Sequence, residues 1–392
     1  MLIRPTPTVV SLCSLALLAA PVLADKAFYG DPPDATHPWG IHDRNRPQPP
    51  LVTPGTFSTD DQPGRPPSDA IVLFDGTATS LGKWEADKTP AEPTKWVVVD
   101  GALQCVPGSG YIRTKQLFAD CQLHVEWASP TKIEGTSQQR GNSGIFLMGQ
   151  TEVQVLNNFD NPTYADGFAG SVYGVNPPHA NALHAPGEWQ VYDIIFRRPI
   201  FRDGKLLDGG RQTVLMNGVV VQDSTPLEGG GGHRTRGHDR SFGEKGPLKL
   251  QDHGNPVRYR NIWLRPLPLR AIDGGDMGVM SPIDVTAKKT ELAKSIRADA
   301  AKLQGQAKLL RLMESICYDQ DPATTATATA GITDWLTTTK SVPAAAIEDR
   351  KAEILEMRDA IGYLVRFKFL PADFTALPEL GQIVKAHGWD KK

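Results

Sequence analysis

Between Ala70 and Leu267, apolar residues come in short runs of alternating period, about ten residues apart, separated by Gly, Asn, Asp and Pro. The runs begin at Ile71, Lys95, Ala102, Tyr111, Gln122, Gly144, Glu152, Ser171, Glu188, Arg211, Val219, Leu248 and Val257. Each has the length of a strand. Asn217-Gly218, between two apolar triplets, is a strong hairpin signal. The pattern predicts an all-β domain. At about 200 residues it is large for an immunoglobulin-like sandwich and fits a jelly roll of two curved antiparallel sheets.

After Pro268 the period lengthens. From Asp284 to Ile316 the apolar positions Leu292, Ile296, Ala300, Leu303, Leu309 and Met313 follow helical spacing. Residues 324–331 read as a low-complexity connector. Further helices are expected at 332–336, 344–369 and 380–387, punctuated by Pro322, Pro343 and Pro371. The expected layout is a β domain at 69–267, a linker at 268–283 and a small α-helical domain at 284–392. Residues 25–68 carry no period and read as an extended Pro-rich arm, with Trp39 as a candidate anchor.

The first 24 residues read as a signal peptide: Arg4, an apolar stretch from Val9 to Ala20, and small residues up to Ala24. The stretch is too short to span a membrane. Cleavage after Ala24 and export to the periplasm or the medium follow as expectations. The net charge of -2 gives no basic footprint for nucleic acid. In the mature chain, Cys105, Cys121 and Cys317 leave two arrangements open: a Cys105–Cys121 disulfide or three buried thiols. Their spacing does not suggest zinc. The sequence does not indicate an oligomeric state.

The polar patterning that matters most lies in GNSGIFLMGQTEVQVLNN, residues 141–158. It reads as two strands around a turn at Gly149-Gln150, with Ile145 to Met148 as an apolar run. In the second strand Val153 and Val155 face one way, and Glu152 and Gln154 the other. This is either a wet sheet face or a site, and Asn142 in the adjoining NSG approaches the same edge. In LKLQDHG, Leu248, Leu250 and Asp252 alternate with Lys249, Gln251 and His253. His124 and Glu126 alternate with Leu123, Val125 and Trp127 and are candidates for the same surface. Tyr173 offers an aromatic face, whereas Trp189 reads as core. Carboxylate, amides, imidazole and aromatic rings together are what carbohydrate recognition uses. The Gly-rich segment 228–245 reads as a mobile loop, and its His233 and His238 as solvated.

These motifs, in order, resemble the 3-keto-disaccharide hydrolase domain family of exported bacterial proteins. The matching features are LFDG, Trp96 with VVVDGAL, IRTKQLFADCQLHVEW, GNSGIFL, EVQVLNN, GSVYG, GEWQVYDI, LMNGVVV and PLKLQDHGNPVRYRNIWLRPL. The resemblance covers about residues 70–267 and implies a concanavalin-like jelly roll acting on 3-keto-glycosides. Related laminarinase-type glycosidases carry E-x-D-x-x-E on one strand. Here the run is Glu152, Gln154 and Asn157, so amides stand where the second and third acids would be. A two-carboxylate retaining mechanism lacks a partner on this strand.

On a 3-keto sugar, net hydrolysis by C2 deprotonation, β-elimination and hydration needs only a base, a proton donor and enolate stabilisers. The roles expected are His253 as base and Glu152 as acid or relay. Gln154, Lys249 and Gln251 would hold sugar oxygens, with Asn142, Tyr173, His124 and Glu126 as further substrate contacts. No cofactor is required, and a divalent metal held by Glu152 and His253 is the alternative stabiliser. Two rival readings are a non-catalytic carbohydrate-binding module and a structural protein assembled through its helical domain.

Overall fold

The computed structural model describes residues 27–237 and 241–390. The expected signal peptide at 1–24 and His238 lie outside the described residues. The chain divides into two compact units, residues 50–277 and residues 27–49 with 278–390.

The first unit is a sandwich of antiparallel sheets. One sheet runs in the order Trp84–Ala86, Ile112–Thr114, Lys249–Leu250, Ser143–Leu147, Thr151–Val155. The larger runs Val219–Pro226, Arg211–Met216, Gln190–Arg197, Cys121–Ala128, Arg258–Pro266, Ala102–Gln104, Val97–Val99, and Ile71–Phe74 also pairs with Arg258–Pro266. A small hairpin of Ile200–Arg202 and Lys205–Asp208 stands apart. Alternation decides what each strand buries. Leu123, Val125 and Trp127 enter one core with Val153, Val155, Ile145 and Leu250 from the facing sheet. Trp96, Tyr192 and Tyr259 fill the same core. This is the expected jelly-roll architecture.

Several local expectations differ. Residues 171–175 form no strand; the segment touches the sheet edge through a single bridge from Val172 to Val153 and turns back at Asn176. Cys105, Cys121 and Cys317 are free, buried thiols. Cys105 and Cys121 do not close a hairpin, because the Arg258–Pro266 strand runs between their two strands. Residues 50–68 are held on the outer face of the larger sheet, where Arg260 donates to the carbonyls of Thr59 and Asp60.

The second unit contains helices Pro282–Ala300, Gly305–Ile316, Pro322–Lys340, Lys351–Arg366 and Ala376–Ala386. The single helix expected over 284–316 is broken, and Leu303 sits exposed in the break. The connector expected at 324–331 is helical. Asp321 caps it through the Thr324 amide, and Pro322 occupies the first turn. Ala328, Ile332 and Leu336 bury one stripe, and threonine hydroxyls bond back to carbonyls one turn earlier, as Thr327 does to Ala323 and Thr333 to Thr329. The buried stripe and the Asp321 cap keep this Thr-rich run helical despite its weak propensity. Within this unit Arg44, Asn45 and Arg311 bond to the buried carboxylate of Glu314, and Lys288 lies near the Trp39 ring.

Candidate active site

The register of the five-stranded sheet arranges its outer face in rows. Glu85, Arg113, Lys249, Phe146 and Glu152 pair across all five strands. In the next row Gln251 stands between Tyr111, whose hydroxyl it bonds at 2.7 Å, and Gly144, which pairs with Gln154. The edge segment extends both rows. The Tyr173 amide donates to the Glu152 carbonyl, and the Gln154 amide donates to the Ser171 carbonyl. Tyr173 therefore stands beside Glu152, and Ser171 beside Gln154.

Most charges in the first row are paired. Arg113 bonds Glu85 at 2.8 Å, and Lys249 lies 3.0 Å from Asp87. Glu152 differs. Its side chain is nearly buried, and among the described residues its carboxyl has no hydrogen-bond or ion-pair partner. Burial alone pushes its pKa from the ordinary 4.5 up to about 8. The carboxyl lies across the neighbouring strand over Gly144. A Cβ there would sit 2.1 Å from Glu152 Oε1, so the carboxyl rests where it does because position 144 has no side chain.

The amides around it are half satisfied. Gln154 Nε2 donates to Gln138 Oε1 at 2.9 Å, and Asn142 Nδ2 donates to the Gln138 carbonyl at 2.6 Å. Gln138 is itself anchored on Thr163 and the Gly167 carbonyl. The oxygens of Asn142, Gln154 and Gln251, and the hydroxyl of Ser171, are buried without a partner among the described residues. The Tyr173 hydroxyl lies 2.8 Å from that of Tyr164 and 3.4 Å from His233 in the Gly-rich segment. Burial and the Tyr164 contact raise its pKa.

The structure thus brings Glu152, Gln154, Lys249, Gln251, Asn142 and Tyr173 to one face. It does not bring three others there. His253 is exposed on the turn that follows the strand, and its ring makes no hydrogen bond among the described residues. It lies past Leu250, where its strand ends, and among the described residues no hydrogen bond or ion pair joins it to Glu152. The expected pairing of His253 with Glu152 is not formed in the structure, and burial is the one cause acting on the Glu152 carboxyl.

His124 and Glu126 point from the outer face of the other sheet, on the opposite side of the sandwich. There Glu126 accepts from Arg260 at 2.7 Å, from Asn261 at 2.7 Å and from Ser58. His124 bonds Asp193 at 2.7 Å and stacks on Trp263. Arg260 also lies over the Trp189 ring. The sequence reading missed Tyr111, Gln138, Phe146 and Ser171. Strict alternation from Ile145 already turns Phe146 outward, whereas Tyr111 and Gln138 arrive through pairings that no local pattern shows.

The fold is an antiparallel jelly-roll sandwich that carries one nearly buried, unpartnered carboxyl on an amide-lined outer face. The sequence profile of the 3-keto-alpha-glucoside-1,2-lyase-like domain matches residues 69–265, and the chain belongs to that family. A candidate glycosyl hydrolase from Parabacteroides distasonis shares 45% identity over 57% of this chain and 93% of its own, with a TM-score of 0.53. A second candidate glycosyl hydrolase from the same organism shares 18% identity over 51% of this chain and 94% of its own, with a TM-score of 0.38. An alginate lyase from a Chlorella virus shares 11% over 50% of this chain and 99% of its own, with a TM-score of 0.29. No curated protein matches the chain.

Proposed function

We propose that the β unit cleaves glycosides whose sugar ring carries a ketone at C3, with Glu152 as the proton-transfer group. Family membership and the 45%-identical relative support carbohydrate processing. Glu152 carries the finer reading. It is a lone buried carboxyl, and its pKa of about 8 places it near the operating range of a general base.

The chemistry needs no second carboxylate. The C3 ketone acidifies the C2 proton, and the Glu152 carboxylate removes it. The electron pair becomes a C1–C2 double bond as the C1–oxygen bond breaks. The departing oxygen takes a proton, for which the Tyr173 phenol is the hydroxyl in Glu152's own row. Water then adds across the double bond: its hydroxyl bonds C1 as its proton passes to the Tyr173 phenolate, and Glu152 returns a proton to C2, for net hydrolysis. Gln154 and Gln251 hold the ring, and Phe146 and Tyr111, with rings 5.9 Å apart, offer it an apolar surface. Export, expected from residues 1–24, belongs to the same proposal and rests on the sequence alone.

Incubating the purified protein with a 3-keto-glucoside and following free 3-keto-glucose by mass spectrometry tests this. Wild type should release the sugar, and Glu152→Gln should slow release by about 100-fold or more. A wild-type protein that binds glycans and leaves the keto-glycoside intact is instead a carbohydrate-binding module.

A further inference from the structure

Tyr173 and Tyr164 meet through their oxygens. The two hydroxyls lie 2.8 Å apart, whereas the ring centroids are 6.3 Å apart and the rings tilted by 60°. Local structure builds this meeting. The Tyr164 ring lies against Gly167, where a Cβ would sit 2.1 Å from it. The turn Ala165–Gly167 is tied to the sheet edge, because the Gly174 amide donates to the Asp166 carbonyl at 3.0 Å. Gln138 Nε2 donates to the Gly167 carbonyl, also at 3.0 Å. Among the described residues the Tyr164 hydroxyl has no other partner, and Tyr173 has one more, His233 Nδ1 at 3.4 Å, near the limit of a hydrogen bond. Tyr164 is 41% exposed and Tyr173 half-buried.

We propose that Tyr164 is a positioning residue for the cleavage step, a second hydroxyl that carries the charge left on Tyr173 out to the surface. The inference rests on the cleavage reading with Tyr173 as proton donor, and adds the group behind it. A phenol that gives up its proton away from water leaves an anion that burial disfavours. Tyr173 holds its proton tightly for that reason, through burial first and the Tyr164 contact second. The pair avoids the half-buried anion. As the C1–oxygen bond breaks, the Tyr173 proton passes to the departing oxygen, and the Tyr164 proton crosses the 2.8 Å bond to the Tyr173 oxygen. The charge that Tyr173 alone would carry thus ends on the Tyr164 oxygen, on an exposed side chain. In the hydration step the protons run back: the adding water gives its proton to Tyr173, and Tyr173 returns one to Tyr164. Neither hydroxyl gains or loses a proton over the cycle.

Two substrates separate this role from a structural one. A methyl 3-keto-glucoside needs a proton on its departing oxygen, whereas the 4-nitrophenyl 3-keto-glucoside of the same anomer releases a stable anion. The kcat for each is measured with wild type, Tyr164→Phe, Tyr173→Phe and the double variant. Tyr164→Phe removes one oxygen from an exposed side chain, so the fold is retained, which thermal midpoints check. The ratio of nitrophenyl to methyl cleavage should rise by about 100-fold in Tyr173→Phe and by about tenfold in Tyr164→Phe. In the double variant it should rise no further than in Tyr173→Phe, because Tyr164 acts only through Tyr173. Equal slowing of both glycosides in Tyr164→Phe overturns the proposal, as do an unchanged rate on both and a further rise in the double variant. A wild type that cleaves neither glycoside overturns the cleavage reading and this role with it. A wild type that cleaves both leaves the cleavage reading standing whatever Tyr164→Phe does.

Discussion

Two glutamates, Glu152 and Glu126, sit buried on the outer faces of opposite sheets of one sandwich, and their surroundings could hardly differ more. Glu126 accepts from Arg260, Asn261 and Ser58 and lies 3.3 Å from His124 Nε2. Burial works against its charge, but these donors overcome it and hold the pKa down at about 2. Glu152 has no such partner among the described residues, and burial alone lifts its pKa to about 8. A carboxylate saturated by its own protein has nothing left for a ligand, and its role is to fasten residues 50–68 to the sheet. An unsaturated one lowers stability and persists where a substrate completes it.

The largest effect that follows is at Glu126. Glu126→Ala leaves Arg260 and His124 without their shared carboxylate inside the protein and should cost about 3–5 kcal/mol in urea unfolding at pH 7. The Glu126 contribution is present above pH 4.5 and is lost as pH falls from there towards 2. A loss near zero would mean that the donors around it are incidental.

Glu152 should behave in the opposite sense. Its native pKa lies above the ordinary 4.5, so the folded protein holds a proton there that the unfolded chain releases. Its ionisation therefore destabilises the fold progressively as pH rises from 4.5 to about 8. Glu152→Gln should be more stable than wild type at pH 9, by on the order of a few kcal/mol, with the difference shrinking towards pH 4. Parallel denaturation curves at the two pH values check this. A Glu152→Gln protein less stable than wild type at pH 9 would remove the contrast with Glu126.

The smallest effect concerns the histidine beside Glu126. Burial opposes the charge on His124, and bonds to Asp193 and Glu126 nonetheless raise its pKa to about 9. That stabilisation is complete below pH 6.5 and fades as pH rises through 9. Asp193 is partly exposed, so Asp193→Asn should lower the His124 pKa, read by NMR titration, while costing only about 1 kcal/mol.

The sequence carried the alternation that turns Glu152, Gln154, Lys249 and Gln251 outward, and this much of the site was legible. Alternation within a strand, however, does not say which sheet the strand joins. His124 and Glu126 obey the same rule as Glu152, yet their strand lies in the other sheet, so the same outward parity leads to the opposite side of the molecule. His253 was misplaced for a local reason. The strand ends at Leu250, and Asp252 turns the chain by accepting from the amides of Gly110 and Gly254. Tyr111 pairs with Gln251 from 140 positions away, which no periodicity reports. The helical Thr-rich stretch was hidden because threonine is a weak helix former and the buried stripe of Ala328, Ile332 and Leu336 lies half outside the low-complexity run. Gly144 did leave a signal: a glycine inside a strand marks a close approach, here by the carboxyl of Glu152.

The pH dependence of kcat/KM for 3-keto-glucoside cleavage tests the role of Glu152 most directly. If its carboxylate is the base, the rate should rise with an apparent pKa of about 8 and level off above it, and Glu152→Gln should abolish the rise. A wild-type profile that is flat from pH 6 to 9, or a rise that survives in Glu152→Gln, would contradict it.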